Sequence, residues 1–343
     1  MPSVGVDISD TSLKYVAFDP VPVNASLRTV QQWGEIEIPD GVLDRGHVND
    51  KQKLVTVLRT LKERTRTQFV RLSLPEERAY LFETTVKKST PKNELRSLLE
   101  FRLEENVPIS SKDTLFDFDV SEMSGQTNDV QVVVAAYARE TIEDYYSACK
   151  EAGITPLSFE VEAQAMSRAV LPKGDAGTYL LLDFGKTRTG IGIVHAGRLV
   201  YTSTVDIGGL QLSGVLRKVL GDISEAELTA IKNTQGLVPT TQDSSCYDAL
   251  ISTVSVIKDE LATRLQYWHT NNPDRKIQSV ILCGGSVNMK GLPEYLRDEL
   301  GVPVVRANVW QNALSLKTTV PPIDLQRSYG YAAAIGLALQ NNV

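Results

Sequence analysis

Short apolar runs that end in polar turns alternate along the chain with stretches whose apolar residues recur every three or four positions, the pattern of strands interleaved with helices. Near the start, Ser3-Val4-Gly5-Val6-Asp7-Ile8 reads as a short buried strand ending in an aspartate. A polar turn, Ser9-Asp10-Thr11-Ser12, leads into a second strand over 13–18. The middle of the chain repeats this plan. Thr178-Tyr179-Leu180-Leu181-Leu182-Asp183 is again a strand ending in aspartate, followed by the turn Phe184-Gly185-Lys186-Thr187-Arg188. Strands over 189–194 and 198–205 come next, joined by a hairpin turn at Ala196-Gly197. A strand, a tight polar turn and a returning strand thus occur twice, half a chain apart, which predicts a duplicated α/β protein of two lobes.

Helices are predicted behind each unit. Leu54, Val57, Leu58 and Leu61 fall at helical spacing, as do Leu212, Val215, Leu216 and Val219 between Gly208-Gly209 and Gly221. A longer helix over 247–269 carries Leu250, Val254, Ile257, Leu261 and Leu265 on one face. Ser279-Val280-Ile281-Leu282-Cys283 is a buried strand running into Gly284-Gly285. Residues 81–155 read as an added module. It has a strand over 82–86, a helix with Thr90 as cap and Pro91 at its first position, and strands over 115–120 and 130–138. A last helix places Ile142, Tyr145, Tyr146 and Cys149 on one face. The order βαββα predicts a small open-faced sheet with helices on one side. Its stripe Leu95, Leu98 and Leu99 either forms the module's own core or offers a groove to a partner. Two helical segments, 162–169 and 331–339, pair Ala165 with Ala169 and Ala332 with Gly336. Small residues four apart suit either a tight core or a close crossing of helices between lobes.

Composition narrows the function classes. The 343 residues, 42% hydrophobic and 23% charged, suffice for two domain-sized cores. The net charge of -6 is spread without blocks of one sign, which argues against a strong electrostatic grip on nucleic acid or anionic lipid. Cys149, Cys246 and Cys283 have neither metal spacing nor a disulfide framework, as expected in a reducing compartment. His47, His195 and His269 are scattered and read as structural. The N-terminus has no basic and apolar leader, and no apolar run reaches the roughly 18 residues that span a bilayer. A cytoplasmic protein that meets a membrane only through a partner is expected.

The chemistry lies at the repeated turns. Two strand-end aspartates facing each other make a phosphate clamp. Turn amides and the hydroxyls of Ser9, Thr11, Ser12, Thr187 and Thr189 would donate to phosphate oxygens. Asp7 and Asp183 would hold a hydrated Mg²⁺, which takes waters plus one or two carboxylates. Gly284-Gly285 would let a base and ribose lie against bare backbone.

These motifs in this order resemble the actin-like ATPase superfamily (a duplicated, ribonuclease H-like fold) and within it the type IV pilus assembly family PilM, with the cell-division family FtsA as a relative. The resemblance covers nearly the whole chain. It rests on Gly5-Val6-Asp7-Ile8 with Lys14, on Asp183-Phe184-Gly185 with Thr189, on Val205-Asp206-Ile207-Gly208-Gly209-Leu210, and on Leu282-Cys283-Gly284-Gly285-Ser286. Asn106-Val107-Pro108 and Ala152-Gly153-Ile154-Thr155-Pro156 are similar to the pilus group in particular. It implies a first lobe of residues 1–80, 156–175 and 325–343, an inserted FtsA-type subdomain of 81–155, and a second lobe of 176–324. It further implies that ATP and Mg²⁺ are bound through Asp7, Ser9, Thr11, Ser12, Lys14, Asp183, Gly185, Lys186, Thr187, Thr189, Gly208, Gly209, Lys232, Gly284, Gly285 and Ser286. Glu162 matches the acidic residue that orients the attacking water in MreB-like relatives; its bland alternative is a surface or lobe-interface glutamate.

Two departures bear on turnover. Ser9 and Asp10 stand where the family has Gly and a Ser or Thr, and Leu228-Thr229 replace the Ala-Glu that precedes the family's lysine, here Lys232. Asp10 puts negative charge near the expected phosphates, so weaker nucleotide binding and at most a slow ATPase are expected. The resemblance implies an adaptor that holds the N-terminal cytoplasmic peptide of a PilN-like membrane protein, with pilus motor ATPases as further partners and no nucleic acid. The alternatives are an FtsA- or MreB-like filament and a sugar kinase of the same superfold. An FtsA-like membrane filament would carry a basic amphipathic tail, which Leu339-Gln340-Asn341-Asn342-Val343 does not provide.

Overall fold

In the computed structural model, which describes residues 3–19, 28–122, 128–239 and 244–340, the chain opens with the expected strand pair. Strand β1 (Val4–Ile8) turns into β2 (Ser12–Phe18) and β3 (Val30–Glu37), antiparallel in that order. A small hairpin of β4 (Leu43–Asp44) and β5 (His47–Val48) precedes helix α1 (Lys51–Thr65), whose N-terminus Asp50 caps by accepting from the Lys53 amide at 3.0 Å. Then β6 (Phe69–Leu74) returns parallel to β1.

The inserted segment follows as β7 (Tyr80–Lys87), α2 (Lys92–Asn106), β8 (Thr114–Glu122), β9 (Asp129–Ala138) and α3 (Arg139–Glu151), the predicted βαββα order. Its strands pair in the order β7-β9-β8. Helix α2 starts one residue later than expected: Pro91 is the cap and no side chain serves there, so Thr90 does not cap it. The α2 stripe faces inward. Leu95, Leu99 and Leu103 form a separate core with Val86, Phe116, Val132 and Val134, which removes Leu95 and Leu99 as groove residues. Helix α3 instead sends Tyr145, Ala148 and Cys149 into the main core, while Tyr146 turns outward. The expectation that both tyrosines share one face fails because adjacent helical positions point about 100° apart.

The chain re-enters the first sheet through β10 (Thr155–Val161), parallel to β6, and continues into α4 (Glu162–Val170). The second sheet comprises β11 (Thr178–Phe184), β12 (Thr189–His195) and β13 (Arg198–Val205), followed by α5 (Gly209–Leu220), α6 (Glu225–Thr234) and α7 (Ser245–Asn271). It is completed by β14 (Ile277–Cys283), α8 (Leu292–Leu300) and β15 (Val304–Arg306). The order is β10-β6-β1-β2-β3 in one sheet and β15-β14-β11-β12-β13 in the other, each with two parallel pairs followed by two antiparallel pairs. The two lobes therefore share one topology, as the repeated motif predicts.

Helices α9 (Leu325–Ser328) and α10 (Ala332–Leu339) close the described chain. All residues of α10 are buried, and it crosses α4 so closely that a Cβ on Gly336 would lie 1.7 Å from the Ala165 carbonyl oxygen. No side chain fits there, which explains the small residues on both helices. The described residues contain no helix long and apolar enough to cross a membrane.

Candidate functional site

The C-terminal ends of the strands β1, β11 and β14 converge on an open cleft between the lobes, with a volume of about 930 Å³. Ligands of open α/β sheets characteristically bind outside such strand ends. Three loops meet there. In the first, the Ser9 amide and hydroxyl both donate to the Ser12 carbonyl, at 2.9 and 3.0 Å, so a side-chain bond reinforces the backbone bond that closes the turn. The second is closed by backbone alone: the Gly185 amide donates to the carbonyls of Asp183 and Arg188, at 3.1 and 3.0 Å. The third, Gly284-Gly285-Ser286, is tied to the second by the Ser286 hydroxyl, which donates to the Gly185 carbonyl at 3.0 Å.

The two glycines of the third loop do different things. Gly284 has φ +91°, and a Cβ there would meet Asp183 Oδ1 and the Phe184 carbonyl at 2.5 Å. It is small for the sake of the neighbouring loop. Gly285 has nothing within 4 Å of its Cβ position and lines the cleft.

The cleft brings together Asp7, Ser9, Thr11, Ser12, Lys14, Glu162, Asp183, Gly185, Lys186, Gly209, Lys232, Gly284, Gly285 and Ser286. Thr187 lies on a smaller cavity of about 70 Å³ that adjoins the same loops. Gly208 packs under the second loop, where a Cβ would come within 2.6 Å of backbone atoms of residues 186–188. Thr189 is fully buried and its hydroxyl donates to the Ile207 carbonyl at 2.6 Å, so it has no donor to offer a phosphate.

Carboxylates dominate the floor. Asp7 accepts from Ser73 at 2.8 Å, yet burial pushes its carboxyl above the usual range, against the pull of the Lys14 ammonium. Burial and the Asp7 charge raise Asp183 to about 6. Glu162, first residue of α4, is pushed well above its usual value by burial and by Asp7, Asp183 and Glu76. It shares a hydrogen bond with Asp183. Glu76, which the sequence did not single out, accepts the Ala163 amide at 2.8 Å and is raised to about 7 by burial and the Asp183 charge. Its second oxygen is buried without a partner. Glu76 directly follows β6 and Pro75, so the end of that strand was the available signal.

Lys232 is drawn inward, donating to the Gly209 carbonyl at 3.1 Å and to Ser213 at 2.7 Å, with Glu225 at 3.5 Å. Burial lowers its pKa and the Glu225 charge opposes that. Glu225 lines the cleft and was missed as well. The signal was the capping box Ser224-x-x-Glu227, which places Glu225 and Lys232 on one face of α6, two turns apart. Asp10 faces away from the cleft: its carboxylate accepts the amides of Arg45 and Gly46, both at 3.2 Å, and pairs with Arg188. The expected negative charge at the phosphates is therefore neutralised by an arginine.

Among the described residues no group of three or more His, Cys, Asp or Glu is arranged to enclose a metal by itself. Two strand-end carboxylates, crowded with other acids and open to a wide cleft, fit a cation that keeps most of its waters.

The chain is similar to a solved PilM–PilN type IV pilus biogenesis complex, at 21% identity over 99% of this chain and 98% of that one, with a TM-score of 0.78. It is similar to the ethanolamine utilization protein EutJ of Carboxydothermus hydrogenoformans (17% identity, 99% and 89% covered, TM-score 0.55). It also resembles MreB5 of Spiroplasma citri bound to ADP (12% identity, 91% and 93% covered, TM-score 0.53). These likenesses establish an actin-like fold. The family model described as type IV pilus assembly protein PilM matches residues 5–342, and with nearly the whole chain inside that match, the protein belongs to the PilM family of type IV pilus assembly proteins.

Proposed function

We propose that the protein is a nucleotide-binding adaptor of the pilus assembly platform, which takes ATP with Mg²⁺ between its lobes and a short cytoplasmic peptide of a PilN-like membrane protein on its inserted subdomain. The single observation that carries this reading is the convergence of three loops on one cleft of about 930 Å³, at the upper end of the range for small-molecule sites. An MreB relative of the same fold has been solved with ADP. The amide and hydroxyl of Thr11, the hydroxyl of Ser12 and the amide of Lys186 supply donors for phosphates, and Lys14 supplies positive charge. Asp7 and Asp183 hold the hydrated Mg²⁺, which neutralises phosphate charge when bound. Gly285 and the α6 face with Glu225 and Lys232 border the nucleoside end. Glu162 lines the same cleft beside Asp7 and Asp183, where it would orient the attacking water.

For the peptide, a second groove of about 470 Å³ lies between β8 and β10, each at the edge of its sheet. Leu81, Phe116, Phe118, Phe159 and Leu199 give it an apolar floor, with Arg168 and Arg198 at its sides. Residues 81–155 as the inserted unit, and membrane association through the partner alone, belong to the same proposal. The test uses a labelled synthetic peptide from the N-terminal cytoplasmic segment of a PilN-like partner, titrated against the full chain. Phe118→Asp should weaken capture about tenfold or more, one 1.4 kcal/mol step, while leaving nucleotide-induced stabilisation in place. Unchanged capture by a folded variant would put the docking site elsewhere.

A further inference from the structure

On the side of the phosphate loops away from the cleft, Arg188 of the second lobe is held by two acids of the first. Its guanidinium pairs with Asp10, in the β1–β2 turn, and with Glu77, which follows β6. The three side chains are only 14–19% exposed. Asp10 is fixed in turn by the amides of Arg45 and Gly46, and the Gly46 carbonyl accepts from the Tyr145 hydroxyl at 3.1 Å. A second and exposed pair, Arg45 with Asp206 at 2.7 Å, spans the lobes nearby.

We infer that Arg188, Asp10 and Glu77 form an interlobe clasp that sets the two phosphate loops at their spacing and slows exit from the cleft. The planar guanidinium can serve two carboxylates at once, which an ammonium matches poorly. Separating the lobes strips one mostly buried cation of both partners and leaves two acids facing each other, and unpaired charge in such a place is costly. Exposed Arg45–Asp206 adds little. All three clasp residues border the small cavity behind the loops. The clasp acts without a ligand, so its existence does not rest on the nucleotide reading; its effect on retention does.

Asp10 gives the decisive sign. If its charge repelled phosphates, Asp10→Asn would tighten nucleotide binding. As a clasp residue it would instead loosen it. The experiment follows release of a fluorescent ATP analogue by stopped flow, in wild type, Asp10→Asn, Glu77→Gln and Arg188→Gln. Arg188→Gln should speed release about tenfold, within the 5–150-fold range of coupled sites, and each acid variant should speed it less. Adding Asp10→Asn to Arg188→Gln should change little further, because the pair is already broken. Raising salt from about 0.05 to about 0.5 M should speed release from wild type more than from Arg188→Gln. Slower release or tighter binding by Asp10→Asn overturns the clasp. The second arm measures hydrogen exchange of residues 8–12 and 184–189 in the ligand-free protein. Faster exchange in both segments in the Glu77→Gln and Arg188→Gln variants supports the clasp even where wild type retains no nucleotide, a result that would sink only the nucleotide reading. Exchange equal to wild type in both variants overturns it.

Discussion

The two strand-turn-strand units share a backbone and differ in what stands opposite the aspartate. In the first lobe Asp7 is registered against Lys14; in the second Asp183 is registered against Gly190. Lys14 supplies a cation, and it also bonds Ser12 at 3.0 Å and pairs with Glu35 at 3.5 Å. Gly190 supplies room: a Cβ there would lie 2.7 Å from Glu76 Oε2, so the missing side chain admits a third carboxylate from the other lobe. One duplicated frame has thus been made into a charged half and an open half. A related division appears in the turns, where the first adds serine hydroxyl bonds to its backbone bond and the second is closed by glycine backbone alone. Symmetry of topology sets where the loops converge, and asymmetry of side chains sets the charge between them.

The largest expected effect comes from filling the space beside the second aspartate. Gly284→Ala forces a side chain onto φ +91° and into 2.5 Å contacts with Asp183 and Phe184, so thermal unfolding should show a loss of about 3 kcal/mol. A loss below about 1 kcal/mol would mean that the loop yields easily.

Next comes the crowding of acids. The folded-state carboxyl of Glu76 is raised to about 7 from an ordinary 4.5, so folding takes up a proton and the ligand-free protein should lose stability as pH rises between those values. The slope from this group approaches roughly 1.4 kcal/mol per pH unit. Glu76→Gln can still accept the Ala163 amide but has no proton to lose. Denaturant titrations at several pH values should show a flatter profile and a variant more stable than wild type at pH 8. A profile as steep as wild type would place the pH dependence in other groups.

A smaller effect is expected from the first unit. Lys14→Met removes the ammonium that favours the charged forms of Asp7 and Asp183. Stability at pH 8 should fall by about 1 kcal/mol, and less at pH 5, below the Asp183 pKa of about 6. A loss that did not change with pH would point to packing rather than charge.

What was legible in the sequence follows from local pattern. Asp7, Asp183 and the glycine pair stand at strand ends and could be read with their turns, and the repeat disclosed both sheets. Strand β6 was not legible, because Arg71 and Ser73 interrupt its apolar run; both are buried with partners distant in the chain, among them Ser158 and Gln340 for the arginine and Asp7 for the serine. Missing β6 meant missing Glu76 and Glu77 after it. Asp10 was read with the wrong direction, since a loop 35 residues away and an arginine of the other lobe decide where its carboxylate points. Thr189 was misread for a similar reason: its acceptor, Ile207, belongs to the segment after β13. Spacing along the chain cannot show partners that only the fold supplies.

The central claim is that both strand-end aspartates serve one magnesium nucleotide in the cleft between the lobes. Isothermal titration of ATP, with and without Mg²⁺, into wild type, Asp7→Ala and Asp183→Ala tests it most directly. The account predicts magnesium-dependent binding at one site per chain in wild type and its loss in either variant, with each variant still folded by circular dichroism. Binding of Mg²⁺-ATP that is equally tight in wild type and in both variants would contradict it.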